Sequence, residues 1–235
     1  MQLITKNLSE ITKWKGDPGI SDEMIINVEW GNFDSQKKVI PCTVFDHRLD
    51  RETQNPYFMG LEKMISGRYL GELVRNIIID LIDHRHLFNG RSTPTLNAQY
   101  QFLTSYMSDI SADTSSRLDR AKHVLEDIIG LPPNSTTQLE RECVRNICNF
   151  VARRSARLSA TILAGLCAKR GDLLEEDITV GVDGSLFEHH PSFGSVMEST
   201  LVELMGESQA KKVHLTLARD GSGIGAALTA MIASL

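Results

Sequence analysis

Long apolar runs are missing from this chain. Ile77-Ile78-Ile79 is cut by Asp80 and Asp83, far short of the roughly 20 residues that a membrane-spanning helix needs. Residues 1–20 mix Lys6, Glu10, Lys13, Lys15 and Asp17 among apolar residues, so they hold no uninterrupted apolar core of a secretory signal. Basic charge is not in excess either. The formal net charge is −5, and no basic stripe interleaved with aromatics occurs, which argues against a general nucleic-acid binder. The cysteines Cys42, Cys143, Cys148 and Cys167 show no Cys-x-x-Cys spacing, so they read as reduced thiols rather than zinc ligands or a disulfide framework. Repeats, low-complexity segments and linker-like composition shifts are likewise missing. The expectation is a cytoplasmic protein with no membrane segment, no nucleic-acid partner and no metal-ligating cluster. Its 235 residues, 41% of them hydrophobic, suffice for a substantial core.

What is present is an α/β pattern with helices in its middle. Residues 25–30 read as a buried strand and 38–45 as a second apolar, β-rich segment. Asn55-Pro56 opens a long helix whose stripe is Leu61, Ile65, Leu73, Ile77 and Leu81. Gly67 and Gly71 fall inside that stripe, where close packing or a ligand near the backbone would each require glycine. Residues 117–129 read as an amphipathic helix stopped by Gly130 and Pro132-Pro133, and 136–169 as a long helix. The latter carries Arg141, Arg145, Arg153, Arg154 and Arg157, read as a solvated face rather than an anion site. Residues 3–14 read as a helical leader, giving a division into a leader of residues 1–20 and a domain of residues 21–235.

Two strand-to-glycine junctions close the chain: Val180-Gly181-Val182-Asp183-Gly184-Ser185-Leu186 and Asp220-Gly221-Ser222-Gly223-Ile224-Gly225-Ala226-Ala227. A strand that ends this way before a helix aims backbone N–H groups outward, where they can hold a phosphate or the ribose end of a nucleotide. The plainer alternative is an ordinary turn whose glycine is needed for positive φ. His189-His190 reads as an exposed pair in a polar loop.

Upstream lie Ile26-Asn27-Val28-Glu29-Trp30-Gly31 and Leu61-Glu62-Lys63-Met64-Ile65-Ser66-Gly67-Arg68-Tyr69-Leu70-Gly71-Glu72. An ionised carboxylate accepts hydrogen bonds from adjacent sugar hydroxyls, so Glu29 and Glu62 suit a polyol; taken singly, each also reads as a surface or salt-bridged residue. These four motifs, in this order, resemble the hexokinase family over nearly the whole chain. The resemblance implies the large lobe of the actin-like ATPase (ribonuclease H-like) fold with a helical insertion. It also implies ATP-dependent phosphorylation of a hexose at its 6-hydroxyl, with ATP and Mg²⁺. It assigns hexose hydroxyls to Glu29 and Glu62, and the nucleotide side to Gly67, Arg68, Thr104, Ser108, Asp183, Gly184, Ser185, Gly221, Ser222 and Gly223. One departure is Ile224, where the family commonly has Lys; a cation near a polyanion is lost there.

The larger departure is that the family's Asp-Leu-Gly-Gly-Thr-Asn phosphate loop, its Ser-Phe-Pro and Thr-Lys sugar contacts and its Asn-Asp catalytic pair have no counterpart. No catalytic residue is assigned. Two expectations therefore stand side by side: a hexokinase-type chain that is weakly active or inactive alone, and a non-catalytic sugar- or nucleotide-binding regulatory protein. A face left uncovered implies a protein partner.

Overall fold

The computed structural model describes residues 2–7, 11–13, 15–16 and 23–233. Strands β1 (Gln2–Asn7) and β2 (Glu23–Asn27) form an antiparallel pair. The leader expected to be helical is thus a strand over residues 2–7, while residues 8–10 and 14 of it lie outside the described set. The strand expected over 25–30 ends at Asn27 instead.

Residues 38–43 form no strand, because Asp34 captures their backbone. Its carboxylate accepts the N–H groups of Lys38, Val39 and Ile40 at 2.7, 2.9 and 2.7 Å, which leaves no donors for a ladder there. Helix α1 (Val44–Glu52) follows, with Thr43 and Asp46 as a capping box. The single helix expected from Pro56 is two helices. Residues 53–61 are turns; α2 (Glu62–Ile65) then stops at Ser66, whose extended backbone and hydroxyl cap α3 (Gly67–Asp83). Short α4 (Pro94–Asn97) and α5 (Thr104–Ser111) come next. Then α6 (Asp119–Lys122) runs into a π-helical turn at His123–Ile128.

The 32-residue α7 (Gln138–Lys169) is the central pillar, capped by the Thr137–Glu140 box. Ala152, Ser155, Ala156, Ala160 and Ala164 are buried along it, and such small side chains let α3, α5 and α9 pack close. The core joins these to Leu70, Leu73, Val74, Ile78 and Ile82 of α3. One of the arginines expected on a solvated face of α7 is instead part-buried in an ion pair, and another pairs with a carboxylate while staying on the solvated face. Arg154 forks onto Asp46 of α1 at 2.7 and 2.8 Å, and Arg157 onto Glu203 at 2.8 and 3.0 Å.

Strands β3 (Ile178–Val182) and β4 (Val213–Leu217) pair in parallel from Ile178↔Val213 to Val182↔Leu217. The crossover between them consists of α8 (Ser185–His189), α9 (Phe193–Met205) and α10 (Glu207–Ala210). Parallel strands end on the same edge of the sheet, so both glycine junctions lie side by side, and α11 (Gly221–Ala233) leaves from the second.

Candidate functional site

Gly31 joins the two glutamates. Its N–H donates to Glu29 Oε1 at 3.0 Å, and its carbonyl accepts the Glu62 N–H at 3.0 Å. A Cβ placed on Gly31 would lie 3.2 Å from Glu29 Oε1, 3.3 Å from Glu62 Cβ and 2.8 Å from Met59 Cε. These three side chains therefore converge over one bare α-carbon, 31 residues of sequence folded back by the loops on either side. Glu29 is exposed and Glu62 half-buried at the start of α2, so both keep acceptor positions open to a ligand.

The loops are held by polar side chains. Asn32 Oδ1 accepts the Met59 N–H at 2.9 Å and the Ser35 hydroxyl at 2.6 Å. Asp50, nearly buried, accepts Lys37 Nζ at 2.6 Å, Lys63 Nζ at 2.8 Å and the Tyr57 N–H at 3.0 Å. Lys63 Nζ also donates to the Asn55 carbonyl at 2.7 Å. Burial alone would raise the Asp50 carboxyl, yet the two ammonium groups hold it below its ordinary value. Asp46 behaves alike: burial is outweighed by Arg154 and Thr43. Asp34, Lys37, Tyr57 and Met59 all have φ between 51° and 63°, a left-handed conformation uncommon for residues with side chains. The sequence reading missed Gly31, Asn32, Asp50 and Met59. The signal that would have found Asn32 and Asp34 is their suitability for side-chain-to-backbone turns.

Gly67, Thr104 and Ser185 also come together. The Thr104 hydroxyl donates to the Gly67 carbonyl at 2.5 Å and accepts the Gly71 N–H at 2.9 Å. A Cβ at Gly67 would sit 3.5 Å from Ser185 Oγ and 3.9 Å from Thr104 Cγ2. Arg68 is exposed, its guanidinium 5.7 Å from the Tyr69 ring centroid. Ser108 is buried one turn along α5. Gly71 answers to packing: a Cβ there would be 2.2 Å from the Phe102 carbonyl oxygen and 2.7 Å from the Thr104 nitrogen.

At the strand edge, Asp183 and Gly184 are exposed, and Asp183 Oδ2 lies 3.8 Å from where a Gly221 Cβ would be. Asp220 bends its carboxylate against Gly223, 2.5 Å from a Cβ built there. The Ser222 side chain lies outside the described set. Positive φ does not explain these glycines: Gly184 is extended at φ 170°, and among the described residues the positive-φ glycines are Gly90, Gly130 and Gly206. The His189-His190 pair is split. His189 is exposed, whereas His190 is buried, its Nε2 has no hydrogen-bond partner, and burial holds its imidazole below the ordinary value.

All four cysteines are free. Among the described residues no helix is long and apolar enough to cross a membrane, and no group of three or more His, Cys, Asp or Glu side chains could hold a metal ion.

The hexokinase family model matches residues 4–232. Hexokinase-1 of Arabidopsis thaliana is 41% identical over 231 residues, covering 96% of this chain and 46% of that protein. Glucokinase of Aspergillus niger is 36% identical over 225 residues, covering 90% and 45%. Among solved structures, a hexokinase from Schistosoma mansoni complexed with glucose superposes with a TM-score of 0.82 at 32% identity, over 95% of this chain and 48% of that one. The chain thus spans about half the length of the curated relatives it matches. Its fold is the α/β large lobe of the actin-like ATPase fold seen in those structures.

Proposed function

Since the chain belongs to the hexokinase family, we propose that it serves the ATP-dependent phosphorylation of a hexose at its 6-hydroxyl, with Glu29 and Glu62 receiving the sugar. The observation that carries this is the Gly31 bridge, which brings the Glu29 carboxylate and the base of the Glu62 side chain to the same bare α-carbon. Carboxylates accept but do not donate, so hydroxyls on neighbouring sugar carbons donate to them, each charge-assisted bond being worth about 1.5–3 kcal/mol.

The nucleotide belongs on the other side of α2. The bare α-carbon of Gly67 leaves room beside Ser185, the first N–H groups of the 17-residue α3 favour negative charge, and the exposed Arg68 adds a cation. Asp183, Gly184, Gly221, Ser222 and Gly223 form the adjoining edge at the ends of paired strands, the place where ligands bind in open α/β sheets. Thr104 positions Gly67 rather than reaching a ligand with its hydroxyl hydrogen, which the Gly67 carbonyl already takes. Ser108, buried on α5, supports the same wall. ATP bound there supplies the phosphoryl group, and Mg²⁺ on its phosphates spreads the charge. The cytoplasm is the compartment we assign, on the free thiols.

Residues 1–235 by themselves are expected to be weakly active or inactive, because phosphoryl transfer also needs a base carboxylate and a phosphate cradle, and the matches cover under half of each relative. The same coverage favours a second reading, a non-catalytic hexose- or nucleotide-binding regulator. Ile224, Leu228, Met231 and Ile232 stand exposed on α11, which supports a protein partner on that face.

A coupled assay for glucose 6-phosphate, run with ATP and Mg²⁺ on the purified chain, separates the two readings: turnover above background that Glu62→Ala removes favours the kinase. Calorimetry with glucose tests the site itself. Glu62→Ala and Glu29→Ala are each expected to weaken binding by roughly 10- to 100-fold, and unchanged affinity in both would remove the assignment.

A further inference from the structure

We propose that Met59 is a specificity-determining residue of the hexose site, an apolar wall that makes the site indifferent to one hydroxyl of the sugar. The inference rests on the assignment of Glu29 and Glu62 to sugar hydroxyls. Its own observation is the position of the Met59 methyl. The Cε atom lies 2.8 Å from the point above Gly31 where Glu29 Oε1 and Glu62 Cβ also meet, at 3.2 and 3.3 Å.

The placement is built rather than incidental. Met59 sits at φ 55°, its N–H donates to Asn32 Oδ1 at 2.9 Å, and its carbonyl accepts the Lys63 N–H at 3.3 Å. The backbone on both sides of the residue is therefore fixed, and the half-buried side chain ends at the bare Gly31 α-carbon beside the Glu29 carboxylate and the Glu62 Cβ.

The chemistry at this edge differs from that of its neighbours. A carboxylate rewards a ligand hydroxyl; a thioether methyl has no donor, and its sulfur is a weak acceptor. A C–H face of the sugar packs against the methyl at no polar cost. A hydroxyl turned toward it gains nothing from the protein, so its removal changes affinity little. The site should then accept the hexose and its deoxy counterpart at that position almost equally.

Calorimetry on the 235-residue chain with glucose and each of its monodeoxy analogues reads this directly. Wild type is expected to bind one analogue within about twofold of glucose while losing affinity for those whose missing hydroxyl faces Glu29 or Glu62. Met59→Gln is nearly isosteric and adds a donor and an acceptor; it is expected to raise the discrimination against the tolerated analogue about fivefold. Met59→Leu, which keeps the wall apolar, should preserve the wild-type ratio. Met59→Ala should weaken glucose and the tolerated analogue together, by about fivefold, which keeps the test open if the glutamine variant melts early.

The proposal is overturned if every analogue loses affinity alike in the wild type, or if Met59→Gln and Met59→Ala both bind as wild type does. If Glu29→Gln and Glu62→Gln weaken glucose in that same experiment, the wall alone has failed. If those two variants also bind as wild type, the carboxylate assignment has failed and takes the wall with it.

Discussion

The two sides of α2 are built by opposite means. On the carboxylate side, loops 28–43 and 53–61 are held by the side-chain oxygens of Asn32, Asp34 and Asp50, which accept bonds from backbone and ammonium groups both nearby and far along the chain, with four left-handed side-chain-bearing residues among them. On the Gly67 side, α3, α5, α8 and the β3–β4 pair are held mainly by close packing and the Thr104 hydroxyl bridge, with one buried ion pair, Glu72–Arg75, inside α3. A polar frame sets a ligand's hydrogen-bond partners to within a fraction of an ångström, but it depends on charge state. A packed frame is indifferent to charge and intolerant of volume.

The largest effect should come from removing the hub of the polar frame. Asp50→Ala leaves Lys63 buried without its counter-charge, an arrangement that costs about 3–5 kcal/mol. Urea denaturation should show it, and hydrogen exchange should place the loss at residues 53–63. Acid attacks the same frame. Asp46 and Asp50 titrate below their ordinary values in the folded chain, so the stability they add is complete above about pH 4 and is lost as pH falls through the lowered values. Asp50→Asn should flatten that slope; an unchanged slope in Asp46→Asn and Asp50→Asn together would refute the polar-frame description.

Gly71→Ala is the matching insult to the packed frame. Its methyl would meet backbone atoms of residues 102–104 that have no rotamer to escape into, and about 1–3 kcal/mol of destabilisation is expected, independent of pH between neutral and about pH 4.

Thr104→Val should cost less, about 1 kcal/mol, by unpairing the Gly67 carbonyl and the Gly71 N–H; Thr104→Ser should restore most of it. The smallest effect sharpens the contrast, since a buried histidine sits in the packed half. His190 is buried with its ring held below the ordinary histidine value. The neutral ring's contribution is complete above about pH 6.5 and falls away as pH drops through the lowered value. Exchange at the α8–α9 turn should therefore quicken before the carboxylate loops respond, and His190→Gln should abolish that early phase.

The same contrast explains what the sequence made legible. Helix α7 follows from its periodic stripe and the Thr137–Glu140 box, and the adjacent glycine junctions follow from two strand–turn–helix patterns on what proves to be a parallel pair. Periodicity failed where side chains commandeer the backbone. Val39, Ile40 and Val44 look like a strand until Asp34 takes the amides, and the stripe from Leu61 to Leu81 runs straight across the Ser66 break. Arg154 looked solvated because its acceptor, Asp46, lies 108 residues away, whereas Arg157 does pair with Glu203 on an exposed face. The convergence of Glu29 and Glu62 was legible as a resemblance; the glycine that joins them was visible only in three dimensions.

The contact at Gly71 has a consequence for how such a chain can change over generations. Every other amino acid carries at least the one carbon that the carbonyl of Phe102 excludes, so no mutation of this codon that alters the residue gives a harmless neighbour. The position is an isolated point in sequence space: drift elsewhere must go around it, and a compensating change would have to move the main chain between Phe102 and Thr104 at the same time.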